Sequence, residues 1–157
     1  MKEQSAIEYL STYGWAILIM SIVAVALFSL INLNSITPQE CILPAGLSCN
    51  NEYLAQNGIL QVNLFQATQY PIKVTAIGCT SLQSLAYMQN TGNPPSNAVY
   101  MPISSNHTFY VQCYSNTTKF SGPLGSAYTG YLIINYTNAY TLFPTTVYGK
   151  MSTRVSR

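Results

Sequence analysis

Charge is what this chain has least of. Of its 157 residues six are basic and four acidic, or 6%, where globular chains average about 25%. No aspartate occurs, and the acids are Glu3, Glu8, Glu40 and Glu52. The chain holds one histidine, His107, and one tryptophan, Trp15. These shortages exclude whole classes of function. Paired-carboxylate catalysis, oxygen-rich Ca²⁺ or Mg²⁺ cages and basic nucleic-acid surfaces all need charges that are missing. A net charge of +2 names no acidic partner, and no nucleic acid is expected. Beyond the apolar segment only Glu40, Glu52 and His107 offer ordinary acid–base chemistry, so neither an enzyme nor a cofactor is expected. Disorder is disfavoured as well, because 48% of the residues are hydrophobic and 12% aromatic.

What is present is unevenly spread. Between Tyr9 and Gln39 no side chain is ionisable except tyrosine phenols. Within that run, Gly14-Trp15-Ala16-Ile17-Leu18-Ile19-Met20 leads into Ile22-Val23-Ala24-Val25-Ala26-Leu27-Phe28. A helix here is apolar on every face and wants lipid or a bundle of like helices. Ser5-Ala6-Ile7-Glu8 fits a capping box at its start, and Pro38 stops it, since proline lacks the donor and disfavours helix at Thr37. The expected helix covers residues 5–36, about 48 Å at 1.5 Å per residue. It exceeds the ~30 Å apolar thickness of a bilayer, so a transmembrane anchor is expected with part of the helix projecting beyond it.

After Pro38 the texture changes. Gly58–Phe65 and Ile72–Ile77 place apolar residues at every second position and read as strands. Further strands are expected over 98–103, 108–114, 128–136 and 139–148, with a hairpin turn over 136–140. Thr91-Gly92-Asn93-Pro94-Pro95 and Ser121-Gly122-Pro123-Leu124-Gly125 break them. Six or seven short strands predict an antiparallel β-sandwich or small barrel. All four cysteines, Cys41, Cys49, Cys79 and Cys113, lie in this part. An even count implies two disulfides and an oxidising compartment. Three pairings are possible; Cys41–Cys49 as a short loop and Cys79–Cys113 between two strands are favoured. Zinc is disfavoured by wide spacing and a single histidine. Asn106, Asn116 and Asn135 each open a glycosylation sequon, in a number that chance alone nearly explains. The numerous tyrosines suit strand faces and contacts between subunits.

Gln4-Ser5-Ala6-Ile7-Glu8-Tyr9-Leu10, followed by Tyr13-Gly14-Trp15-Ala16-Ile17-Leu18, resembles the amino terminus of archaeal type IV pilin-like proteins with a class III signal peptide. The close match covers roughly 20 residues, and the two-part plan agrees with the family over the whole chain. The resemblance implies an α+β fold, a long N-terminal hydrophobic helix followed by an antiparallel β-sandwich. It divides the chain into a short leader over 1–3, a helix over 4–37 that is membrane anchor and filament core, and an extracellular β-domain over 38–157. A prepilin peptidase would cut between Glu3 and Gln4, although Lys2-Glu3 stands where the family usually has a basic residue and glycine. Glu8, fifth from Gln4, would meet the new Gln4 amine during assembly; a carboxylate on an apolar bundle needs such a partner.

The implied function is a structural subunit of a type IV-like surface pilus, used for adhesion. Its implied partners are further copies of itself, an assembly ATPase, a membrane platform protein, and membrane lipid before assembly. The implied route runs from a precursor in the cytoplasmic membrane to an extracellular filament. The alternatives are a minor pilin or tip adhesin binding a surface ligand, and an anchored ectodomain that does not polymerise.

Overall fold

A computed structural model describes residues 4–30, 38–91 and 98–157, with side chains on the helix described at 11 and 13–29. The chain divides into two compact units, Met1–Ile36 and Thr37–Arg157.

The described residues of the first unit form one helix, α1 (Gln4–Leu30). Its run of Ala, Leu, Ile and Met favours helix, and its only internal glycine, Gly14, is tolerated at a cost of about 1 kcal/mol against alanine. Two serines avoid stranding their hydroxyls on this apolar rod by bonding backward: Ser21 Oγ donates to the Leu18 carbonyl and Ser29 Oγ to that of Ala26, both at 2.8 Å. Gln4 and Ser5 are both helical, so Ser5 does not cap the helix from outside. The remainder of the expected helix, 31–36, lies outside the described residues, as do the leader 1–3 and most of the break at 91–95.

The described residues of the second unit form ten strands: β1 (Glu40–Ile42), β2 (Leu47–Leu54), β3 (Ile59–Gln66), β4 (Ile72–Thr80), β5 (Gln89–Asn90), β6 (Val99–Met101), β7 (Asn106–Ser115), β8 (Thr118–Lys119), β9 (Ala127–Asn138) and β10 (Pro144–Arg154). They form one sheet in the order β1-β10-β9-β4-β7-β3-β2, with β5 and β6 added on β4 and β8 on β7. Every pairing is antiparallel except β4–β7, which run parallel where Cys79 meets Cys113 and Thr80 meets Tyr114.

That parallel junction overturns the expected sandwich. β7 pairs with β3 along residues 106–112 and then passes its last residues to β4, so what would be two stacked sheets becomes one. The sheet curls until its far edges approach. Leu54 at the end of β2 bridges Val155 just beyond β10, Ser156 N–H donates to the Leu54 carbonyl at 2.9 Å, and Cys41–Cys49 ties β1 to β2. The result is a nearly closed barrel. Closure spares most of the sheet an exposed edge, which would otherwise template pairing with other chains.

The expected α+β fold with a long hydrophobic helix is corrected: the chain is mainly β, and among the described residues its one α-helix is short. Among the described residues no helix is long and apolar enough to cross a membrane. The transmembrane anchor is withdrawn with the sandwich.

Alternation explains the barrel core. Leu60, Val62 and Leu64 of β3, Phe109 and Val111 of β7, Leu132 and Ile134 of β9 and Met151 of β10 are all buried and pack as one cluster. Gly58, at φ 79°, turns the chain into β3 where any Cβ would collide with the Phe120 carbonyl. β10 starts at Pro144, five residues later than the strand expected from 139. The Asn138 side chain is the reason: its Oδ1 accepts from the Tyr140 and Thr141 amides at 2.9 and 3.1 Å and turns residues 139–143 into a hairpin loop.

Candidate assembly surface

On α1 every described side chain is exposed. Trp15 is 72% exposed, Met20 76% and Phe28 75%, and Ile17, Leu18, Ile19, Ile22, Val23, Val25 and Leu27 are exposed with them. No second helix or strand is described in this unit. The helix therefore offers apolar groups around its whole circumference, without the polar stripe that marks a surface helix. Gln4 is its first residue and Glu8 its fifth; their side chains, and Glu3 altogether, lie outside the described residues.

In the β-unit the four cysteines pair as Cys41–Cys49 and Cys79–Cys113, with Cα atoms 5.9 and 4.4 Å apart. Cys79 and Cys113 are fully buried, and their bond fastens the parallel junction on which the single sheet depends. The sequons differ in setting. Asn106 is exposed at the start of β7, and Asn116 is exposed in the β7–β8 turn with φ 54°, a left-handed conformation that asparagine tolerates. Asn135 is half-buried within β9, between β4 and β10, with its Oδ1 shielded and without a partner.

The acid–base candidates are scattered. Glu40 is exposed on β1, and His107 is exposed on β7 with its ring edge-on to Phe109 at 4.8 Å. Glu52 is half-buried on β2, where burial raises its carboxyl above the usual range and leaves Oε2 without a partner. Cys41, Cys49 and Glu52 offer ligand atoms within 4.8 Å of one another. Both sulfurs are committed to a disulfide, so the thiolates that a soft metal needs are not there.

Two features escaped sequence reasoning. One is Gln66, fully buried at the end of β3, whose side chain ties down the loop to β4; an isolated glutamine in an alternating strand gives no signal of this. The other is the run Tyr140-Thr141-Leu142-Phe143, which reads as strand but is an exposed loop. Four consecutive residues with three large apolar side chains and no polar alternation were the available signal. No protein-family model matches the chain, and no curated protein matches it.

Proposed function

We propose that the chain is the structural subunit of a surface filament, polymerising by packing α1 against the same helix of other copies. The resemblance of residues 4–18 to class III signal peptides supports this reading and makes the filament a type IV-like pilus used for adhesion. The observation that carries it is the helix itself, exposed and apolar on all sides. Burial of such side chains is worth ~1.5–3 kcal/mol each. The ten large apolar residues from Trp15 to Phe28 exposed on α1 then exceed the ~4–15 kcal/mol that association costs in lost freedom. A helix bundle is the occupant that satisfies every face at once. Prepilin peptidase processing before Gln4 and pairing of Glu8 with the new amine belong to the same proposal. Display outside the cell suits the two disulfides and leaves Asn106 and Asn116 accessible for glycan transfer.

The test is polymerisation of the full chain on dilution out of detergent, followed by negative-stain electron microscopy. Filaments of uniform width are expected. The double substitution Trp15→Arg, Phe28→Arg should abolish them, since both charges would enter the bundle unpaired. Amorphous aggregate from the wild-type chain, or filaments undiminished in the double variant, would sink the reading.

A further inference from the structure

A cavity of about 470 Å³ opens where the β3–β4 loop faces the β9–β10 hairpin, at one mouth of the barrel. Its size falls within the ~300–1,000 Å³ of small-ligand pockets, and barrel mouths are a recurrent place for them. The floor comes from inward positions at strand ends: Ile72 of β4, Tyr136 of β9 and Thr145 of β10. The walls come from the two loops, with Tyr70 and Thr68 on one side and Phe143 and Thr141 on the other.

These walls are held in place. The buried Gln66 donates through Nε2 to Thr68 Oγ1 and the Tyr70 carbonyl, both at 2.6 Å, and its Oε1 accepts from the Ser104 amide at 3.2 Å. Thr68 Oγ1 itself donates to the Tyr70 carbonyl at 2.7 Å. On the opposite side Asn138 Oδ1 fixes the hairpin, and the Ala139 amide donates to the Pro71 carbonyl at 2.9 Å, joining the two loops. The Tyr140 ring meets Tyr70 edge-on at 6.1 Å. Despite this anchoring, Tyr70 is 52% and Phe143 71% exposed. Large aromatic rings this exposed are not filling a core.

The lining defines the ligand. It combines aromatic rings with threonine hydroxyls, tyrosine phenols and one carboxamide, and it contains no charged side chain. Lys73, the neighbour of Ile72, alternates to the other face of β4 and is exposed there. An anion finds no cation here and a cation no carboxylate. A ligand with a C–H face to lie against a ring and hydroxyls at its rim fits both halves of the lining. We propose that this mouth is a binding site for an uncharged carbohydrate, one or two sugar rings stacking on Tyr70 and Phe143 with hydroxyls reaching Asn138 and Thr145. The site lies wholly within the β-unit and does not rest on the filament reading.

The test applies the full chain, dispersed in a sugar-free detergent, to a glycan array carrying neutral hexose and N-acetylhexosamine oligosaccharides beside sialylated and uronic ones. Retention on neutral glycans is expected, with a loss of ten-fold or more in Tyr70→Ala and in Phe143→Ala. Tyr110→Ala, which removes an equally exposed ring from β7, should bind as the wild type does. Near-ultraviolet circular dichroism confirms that each variant keeps its fold. Failure to retain any neutral glycan, preference for charged ones, or equal loss in Tyr110→Ala overturns the proposal. So does a result in which Tyr70→Ala and Phe143→Ala abolish self-association while leaving glycan retention intact, which would make the mouth a contact between copies.

Discussion

Helix and barrel use apolar residues in opposite ways. On α1 the described side chains from 13 to 29 are all exposed, whereas in β4 only Lys73 and Thr75 escape burial. Both segments are strongly apolar, yet β4 is covered within its own unit while the described side chains of α1 are exposed. That contrast is sharpest when the two regions are perturbed separately. Convenient probes exist for it: Trp15 is the only tryptophan and reports on the helix, while the tyrosines of the strands report on the barrel.

The largest effect is expected from the disulfides, which act on the barrel alone. Replacing Cys79 and Cys113 by alanine opens a loop of 34 residues and should lower barrel stability by about 4 kcal/mol in the chain-entropy model. The Cys41–Cys49 pair, separated by 8 residues, should cost roughly 2.5 kcal/mol on the same model. Denaturant titration followed by tyrosine near-ultraviolet dichroism measures both. An equal loss from the two pairs would mean that native-state packing outweighs loop closure.

Next comes a matched pair of truncations. Leu132 is fully buried at the centre of β9, and Leu18 is 56% exposed on α1. Leu132→Ala should destabilise the barrel by ~2–5 kcal/mol. Leu18→Ala should leave barrel unfolding unchanged and instead weaken self-association, read by the detergent concentration at which filaments appear. A barrel transition shifted by Leu18→Ala would break the separation drawn between the two regions.

A smaller effect is expected at Tyr128, buried on β9. Its hydroxyl donates to the Tyr114 carbonyl at 2.9 Å, and burial pushes the phenol well above its usual range. The same ring packs edge-on against Phe120 at 4.8 Å. Tyr128→Phe keeps the ring contact and removes one hydrogen bond, a loss of about 1 kcal/mol. Should stability fall by as much as in Leu132→Ala, the hydroxyl would be supporting more than this one carbonyl.

The contrast also explains how much was legible in the sequence. β3 and β7 were readable because each buries alternate residues against one core, and β4 and β9 because their first halves do so before alternation gives way to consecutive buried residues. β2 was not. Its Ser48, Asn50, Asn51 and Glu52 are polar in succession save for Cys49, and a bulge between Cys49 and Asn51 resets the alternation. Closure of the sheet was hidden for another reason: it depends on backbone bonds between Leu54 and the segment 155–156, which no side-chain pattern announces. The parallel turn of β7 onto β4 likewise had only Cys79 and Cys113 as its trace. For the site, the apolar helix was plain from composition, while the barrel mouth needed two loops brought together from positions 68–72 and 138–145.

The smallest effect, and the one that tests the barrel's polar rim, concerns Glu52. Its carboxylate lies within 4.8 Å of the Cys41 and Cys49 sulfurs, and among the described residues Oε2 is buried without a partner. Burial raises its pKa above 4.5, the value it takes when unfolded. The folded barrel thus binds the proton more tightly, and the stability this confers is complete below pH 4.5. It is lost as pH rises from there through the raised folded value, because the charge must then be held in a partly dry site. Glu52→Gln keeps the shape and removes the charge. The variant should match the wild type at pH 4 and become the more stable of the two by pH 7, by less than about 1 kcal/mol because half the group remains screened by water. Thermal unfolding at a series of pH values measures the difference. A variant less stable than the wild type at pH 7 would mean that the ionised carboxylate is held by a favourable contact, and the raised pKa would have the wrong sign.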